Sequence, residues 1–142
     1  MPAERFLIDT SIWLDVLPSG GGDEQLRQRI DELLAADVVA TTGMVRLELQ
    51  GGARTAGEWS RLGELLSALH YLSIDDAHWE DVAQLGFQVR KSGVTVPFTD
   101  LLIGAVALRA EAVLVHRDRH FDLLAAHTPI RVESHVIPAE KS

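Results

Sequence analysis

The sequence predicts a three-layer α/β/α sandwich, a short parallel sheet of four to five strands with helices on both faces. Three observations carry this reading. Short apolar runs of strand length alternate with amphipathic helical stretches along the chain, the pattern of βα units whose strands are covered on both sides. No Pro/Ser linker, repeat or low-complexity tract divides the 142 residues, so one domain over 1–142 is expected. Apolar residues make up 46% and charged residues 24%, a mixture that supports a buried core.

The elements follow in order. Arg5 to Ile8 is a buried strand that stops at the polar Asp9-Thr10-Ser11. Thr10 or Ser11 caps a short helix through Ile12, Trp13 and Val16, closed by Pro18 and the Gly20-Gly21-Gly22 loop. Asp23 opens an amphipathic helix with Leu26, Ile30, Leu33 and Leu34 on one face. Val38 to Ala40 reads as the second strand. Thr41 or Thr42 caps the helix carrying Val45, Glu48 and Leu49, which Gly51-Gly52 ends. Leu62, Leu65, Leu66 and Leu69 mark another helix, and Tyr71 to Ile74 a third strand. Asp75-Asp76 starts a helix that stops near Gly93. Pro97 and Thr99 introduce the helix Leu101 to Arg109, with Asp100 in its first turn. Ala112 to Val115 is the fourth strand, running into His116-Arg117-Asp118. A short helix over Phe121 to Ala125 and a strand near Ile130 to Val132 complete the order.

Composition narrows the function. The absence of cysteine excludes a disulfide framework and a thiolate metal site. Glu4, Arg5 and Asp9 interrupt any signal-peptide layout, and the longest apolar run, Leu101 to Leu108, is far short of a membrane span. A cytoplasmic protein without membrane association is the expectation. A net charge of −8 argues against a broad phosphate-binding surface. Local arginines and a bound cation can still reverse the sign at one site.

Four acids lie at apolar-to-polar transitions: Asp9 in FLIDTSIWL, Glu48 in VRLELQGG, Asp100 in PFTDLLIGA and Asp118 in LVHRDRHFD. Carboxylates there are unfavourable unless paired or holding a cation. In a parallel sheet, ligands gather at the carboxyl ends of the strands. Asp9 ends the first strand, Asp118 follows the fourth, and Asp100 sits where a helix dipole favours an anion. Glu48, two turns into its helix, reaches toward the same edge. Each acid alone has an ordinary structural reading, as a strand end, a helix start or a solvated face. Their convergence is what points to a divalent cation on oxygen ligands and to phosphate chemistry. The scattered histidines have no zinc-type spacing, and no phosphate-cradling glycine motif or GxSxG elbow is present. The leucine and tryptophan stripes read as core, with Trp13 the aromatic expected at the surface.

In order and spacing, LIDTSIWLD, RLELQGG, TDLLIGAVAL and LVHRDRHFDLLA resemble the PIN-domain ribonucleases, and among them the VapC toxins of toxin–antitoxin pairs. The resemblance runs from the start of the chain to about residue 126. It implies a PIN-like fold and an endoribonuclease dependent on Mg²⁺, with Mn²⁺ able to substitute. Asp9, Glu48 and Asp100 match the family's core acids, and Asp118 matches its more variable fourth acid, with Asp122 the nearest substitute. Thr10, Ser11 and Thr99 would be supporting hydroxyls. Members often read Asp-x-Asp-Phe in the last segment, where this chain has Asp118-Arg119-His120-Phe121. Arg117 or Arg119 would contact the RNA backbone. The resemblance also implies a homodimer and inhibition by a cognate VapB-type antitoxin that blocks the acids.

Two alternatives stay open at the level of sequence. One is a receiver-like Mg²⁺-binding phosphoacceptor module, which needs an Asp ending its middle strand and a late Lys; only Lys91 and Lys141 are present. The other is a PIN-like domain that binds RNA or a partner without cutting.

Overall fold

A computed structural model of the protein describes residues 4–18 and 21–138. It contains β1 (Phe6–Ile8), α1 (Thr10–Val16), α2 (Glu24–Ala35), β2 (Val39–Thr42), α3 (Gly43–Gly51), α4 (Ala56–Ser67) and β3 (His70–Leu72). These are followed by α5 (Asp76–Lys91), α6 (Phe98–Arg109), β4 (Val113–His116), α7 (Arg119–His127) and β5 (Val132–Ser134). The five strands form one sheet in the order β3-β2-β1-β4-β5. Every pairing is parallel. Helices flank the sheet in the expected three-layer α/β/α arrangement.

Strand order decides where a ligand can sit. From β1 the chain steps outward to β2 and β3, then crosses back to β4 on the other side of β1. The reversal leaves a crevice at the carboxyl ends of β1 and β4, where such folds bind ligands. Leu7 pairs with Leu114 and Ile8 with Val115. The Asp9 N–H donates to the Val115 carbonyl at 2.9 Å, so the turns leaving the two strands start side by side. The receiver-like alternative fails at this point. A receiver has the order 2-1-3-4-5, which places a different strand at the centre.

Local chemistry explains the element boundaries. Asp23 caps α2 by accepting the Leu26 N–H, and Asp75 with His78 forms a reciprocal capping box on α5. That role buries His78, which is 5% exposed. Asp9, rather than Thr10 or Ser11, caps α1, its carboxylate accepting the Ser11 N–H. Thr42 is the N-cap residue of α3 as expected, but its buried hydroxyl donates to the Leu72 carbonyl of β3 and makes no capping bond. Gly51 and Gly52 close α3 as expected. Gly93, with φ of +84°, turns the chain out of α5. Of the Gly20 to Gly22 loop, Gly20 lies outside the described residues, as does Lys141.

The core centres on α6, in which every residue from Asp100 to Ala107 is buried. A helix apolar all round belongs inside the protein. Trp13 joins this core at 2% exposure, against the expectation that it would be the surface aromatic. Its helix is short and packs directly over the sheet edge, with contacts to β4 and α3. The exposed aromatics are Trp59, Tyr71, Trp79, Phe87 and Phe98.

Gly104 lies where α6 meets α7, and an added Cβ would stand 2.6 Å from Leu124 Cδ2 and 3.2 Å from Ile130 Cδ1. Leu124 is fully buried and has no free space to turn into. Gly104→Val is expected to destabilise the fold by about 2 kcal/mol or more through overpacking, measured by urea denaturation of the two proteins.

Candidate metal centre

The four acids come to one edge by four separate routes. Asp9 leaves β1 and caps α1; its Oδ2 accepts the Ser11 N–H at 3.0 Å and the Ser11 hydroxyl at 2.6 Å. It is 4% exposed, so those two donors replace the water it has lost. The Ser11 hydroxyl in turn accepts the Arg117 N–H at 3.0 Å, joining the β1 and β4 turns. Glu48 extends from α3, and Thr10 donates to its Oε1 at 3.0 Å. Burial of the Glu48 carboxyl and repulsion from Asp9 and Asp118 together push its pKa up, against the Thr10 hydrogen bond.

Asp100 is the strained member. It occupies the first turn of α6, is 9% exposed, and its Oδ2 is buried without a hydrogen-bond donor. Burial, then Asp118, Asp9 and Glu48, push its pKa up to about 8. Asp118 moves the other way. Burial would raise it, but the His120 N–H, the Asp100 carboxyl and the His120 ring hold it below the usual range. The two carboxyls repel each other, which favours the uncharged form of Asp100 in the metal-free site.

Asp118 belongs to a segment in which each side chain has a different partner. It caps α7 by accepting the His120 N–H at 2.9 Å. The His120 Nδ1 lies 3.0 Å from Asp118 Oδ1 and 3.5 Å from Asp100 Oδ2. One donor atom from each of Asp100, Asp118 and His120 fits within 4.8 Å of the others. His116 is fully buried, and its Nδ1 accepts the Asp118 N–H at 3.1 Å. That puts the ring proton on Nε2, 3.2 Å from Asp122 Oδ1, and burial pushes the His116 pKa down.

The remaining candidate residues separate clearly. Asp122 turns to His116 and to the Ser134 hydroxyl at 3.0 Å, and Asp118 is the acid beside Asp100. Thr10 and Ser11 each hold an acid, whereas Thr99 is exposed and makes no hydrogen bond to any of them. Arg117 is occupied. Its guanidinium bridges Asp15 at 2.8 Å and Asp23 at 2.6 Å and donates to the His135 carbonyl. Arg119 is exposed and has no ion-pair partner among the described residues. Sequence reading passed over His116 and treated His120 only as a departure from the family pattern. The HRDRH spacing that places both beside Asp118 was the available signal.

The donor set fits a divalent cation: oxygen ligands, surplus negative charge, and one buried carboxylate oxygen lacking any partner. Comparison with known proteins places the chain in a family. The PIN domain profile matches residues 6–126. The VapC ribonuclease Mb1587 of Mycobacterium bovis is 32% identical over 132 residues, covering 90% of this chain and 97% of that protein. Ribonuclease VapC51 of Mycobacterium tuberculosis is 31% identical, over 89% of each chain. Among solved structures, VapBC2 from Rickettsia felis bound to a promoter DNA fragment superposes with a TM-score of 0.76 at 19% identity. The match covers 92% of this chain and 98% of that one. Mycobacterium tuberculosis VapC20, a sarcin-ricin loop cleaving toxin, gives 0.62 at 19% identity over 89% and 99%. These two structures share the fold. The chain belongs to the PIN-domain family, among its VapC-type ribonucleases.

The Asp100 carboxyl has its ordinary value of 3.8 in the unfolded chain and about 8 in the folded protein. Between those values the folded state keeps a proton that the unfolded state has lost. The contribution to stability is complete below the unfolded value and drains away as pH rises through about 8. Asp100→Asn is therefore expected to raise the melting temperature of chelator-treated protein, by at least about 3 °C at pH 8 and by less at pH 5. Thermal denaturation at both pH values checks the sign and the trend.

Proposed function

We propose that this chain, as a single PIN-like domain over 1–142, is an endoribonuclease that serves as the toxin of a type II toxin–antitoxin pair. Asp9, Glu48, Asp100 and Asp118 are its catalytic and metal-holding acids. The observation that carries the reading is Asp100, a buried carboxylate with no donor for one oxygen, facing a second carboxylate at the ligand-binding edge of the sheet. A divalent cation held by these acids, Mg²⁺ or Mn²⁺, would supply a water of lowered pKa and neutralise charge on the scissile phosphate.

The protein's own groups divide the remaining work. Ser11 fixes Asp9, Thr10 fixes Glu48, and the α7 cap with His116 fixes Asp118, so the acids are oriented before substrate arrives. Glu48, its Oε1 fixed by the Thr10 hydroxyl, would help to orient the attacking water. Arg119, exposed next to Asp118, would meet a backbone phosphate, while Arg117 holds α1 and the loop before α2 together through Asp15 and Asp23. Ser11, Asp118, Arg119 and His120 line one open groove with Leu123 and Ile137.

The relatives are VapC ribonucleases and members of VapBC complexes, which supports a VapB-type antitoxin as partner. A net charge of −8 complements a basic inhibitory segment. A homodimer and a cytoplasmic location complete the proposal. No helix among the described residues is long and apolar enough to cross a membrane.

Asp9→Asn keeps an oxygen for the Ser11 donors and removes the charge, so it is expected to abolish RNA cleavage while the far-UV circular dichroism is unchanged. Full Mg²⁺-dependent cleavage by that folded variant would defeat the assignment. Arg119→Ala should weaken RNA binding at low salt and lower the slope of log K against log salt by about 0.7. A filter-binding series from low to high salt reads that slope directly.

A further inference from the structure

His120 is not used by the mechanism above, yet it stands beside both acids nearest the buried end of the site. Its position is set by short-range geometry. Asp118 caps α7 through the His120 N–H at 2.9 Å, so the two side chains leave the helix start together. Phe121, 1% exposed, anchors the next residue in the core. The ring nitrogen Nδ1 therefore sits 3.0 Å from Asp118 Oδ1 and 3.5 Å from Asp100 Oδ2. Adjacent donors on a six-coordinate ion, with bonds of about 2.1 Å, lie about 3.0 Å apart. The His120–Asp118 pair has that spacing, the His120–Asp100 pair is 0.5 Å wider, and one donor atom from each of the three residues falls within 4.8 Å of the others.

A second observation points into the same space. Asp100 Oδ2 is buried and has no hydrogen-bond partner. His120 does not satisfy it, because 3.5 Å is too long for that bond. The other nearby imidazole is committed elsewhere, with His116 Nδ1 on the Asp118 N–H and Nε2 facing Asp122.

We propose that His120 is itself a metal ligand through Nδ1, and that this mixed nitrogen–oxygen site selects Mn²⁺ over Mg²⁺. The proposal rests on the reading of Asp100 and Asp118 as metal-holding acids and adds the third donor and the identity of the ion. Replacing a carboxylate by imidazole removes a negative charge and an oxygen. Both changes weaken a hard cation such as Mg²⁺, which strongly prefers oxygen. Imidazole suits transition metals, and Mn²⁺ is a transition ion whose size and geometry fit a mainly carboxylate site.

The test uses Mn²⁺ alone as the probe on purified, chelator-washed protein. Pulsed electron paramagnetic resonance of the Mn²⁺-loaded wild type is expected to show a directly coordinated ¹⁴N nucleus. His120→Asp should lose that signal. Calorimetric titrations with Mn²⁺ and Mg²⁺ should show their affinity ratio falling by about tenfold or more in the variant. A wild-type spectrum without ¹⁴N coupling, or an unchanged affinity ratio in His120→Asp, overturns the assignment of His120. Asp100→Asn separates the two readings. If it removes Mn²⁺ binding while the wild type shows no ¹⁴N coupling, only the His120 proposal fails. If it binds Mn²⁺ undiminished, the acid site lies elsewhere and both readings fail.

Discussion

Mutual repulsion among four carboxylates at the carboxyl edge of a parallel sheet is the constraint around which this structure is organised. Among the described residues no cationic side chain neutralises the group as a whole, and each member is held by a different device. Asp9 is a helix cap with two Ser11 donors, Glu48 leans on Thr10, and Asp118 caps α7. Asp100 alone has an orphaned oxygen, and it sits on the helix most completely surrounded by core. Packing of α6 holds the carboxyl where solvent would not leave it. A stable fold built elsewhere keeps an unfavourable arrangement in place, the usual relation between stability and a functional site.

The segment from His116 to Phe121 shows how densely one turn can be used. His116 fixes the Asp118 backbone, Arg117 draws Asp15 and Asp23 together, Asp118 joins the acids, and Phe121 locks into the core. A guanidinium with two carboxylates and a carbonyl has its geometry set by several bonds at once. That fixes the Arg117 side chain between α1 and the start of α2. The arginine that follows β4 is thus neutralised inside the protein by Asp15 and Asp23 and adds no positive charge to the acidic edge.

Much of this was legible in the chain itself. The βα alternation, the Asp23 and Asp75 caps, the Gly51-Gly52 stop and the four acids at apolar-to-polar transitions are local signals, readable because propensity and capping act over a few residues. The placement of Asp9 and Asp118 at the carboxyl edge also followed, since each directly follows a strand, whereas Asp100 starts a helix that follows α5 and reaches that edge only through packing. Boundaries slipped where a residue had two local uses. Thr42 both ends β2 and stands at the N-cap of α3, and its hydroxyl goes to the Leu72 carbonyl of β3 in place of the helix.

What the sequence alone determined was the set of groups available and the edge on which they gather. Only the tertiary structure decided their pairings: that Asp118 rather than Asp122 faces Asp100, that Arg117 is tied down and Arg119 free, that Trp13 is inside, and that His120 completes a three-donor cluster. Each of those depends on which side chains meet across elements far apart in sequence. Side-chain direction and close packing settle such contacts, and neither leaves a trace in local pattern.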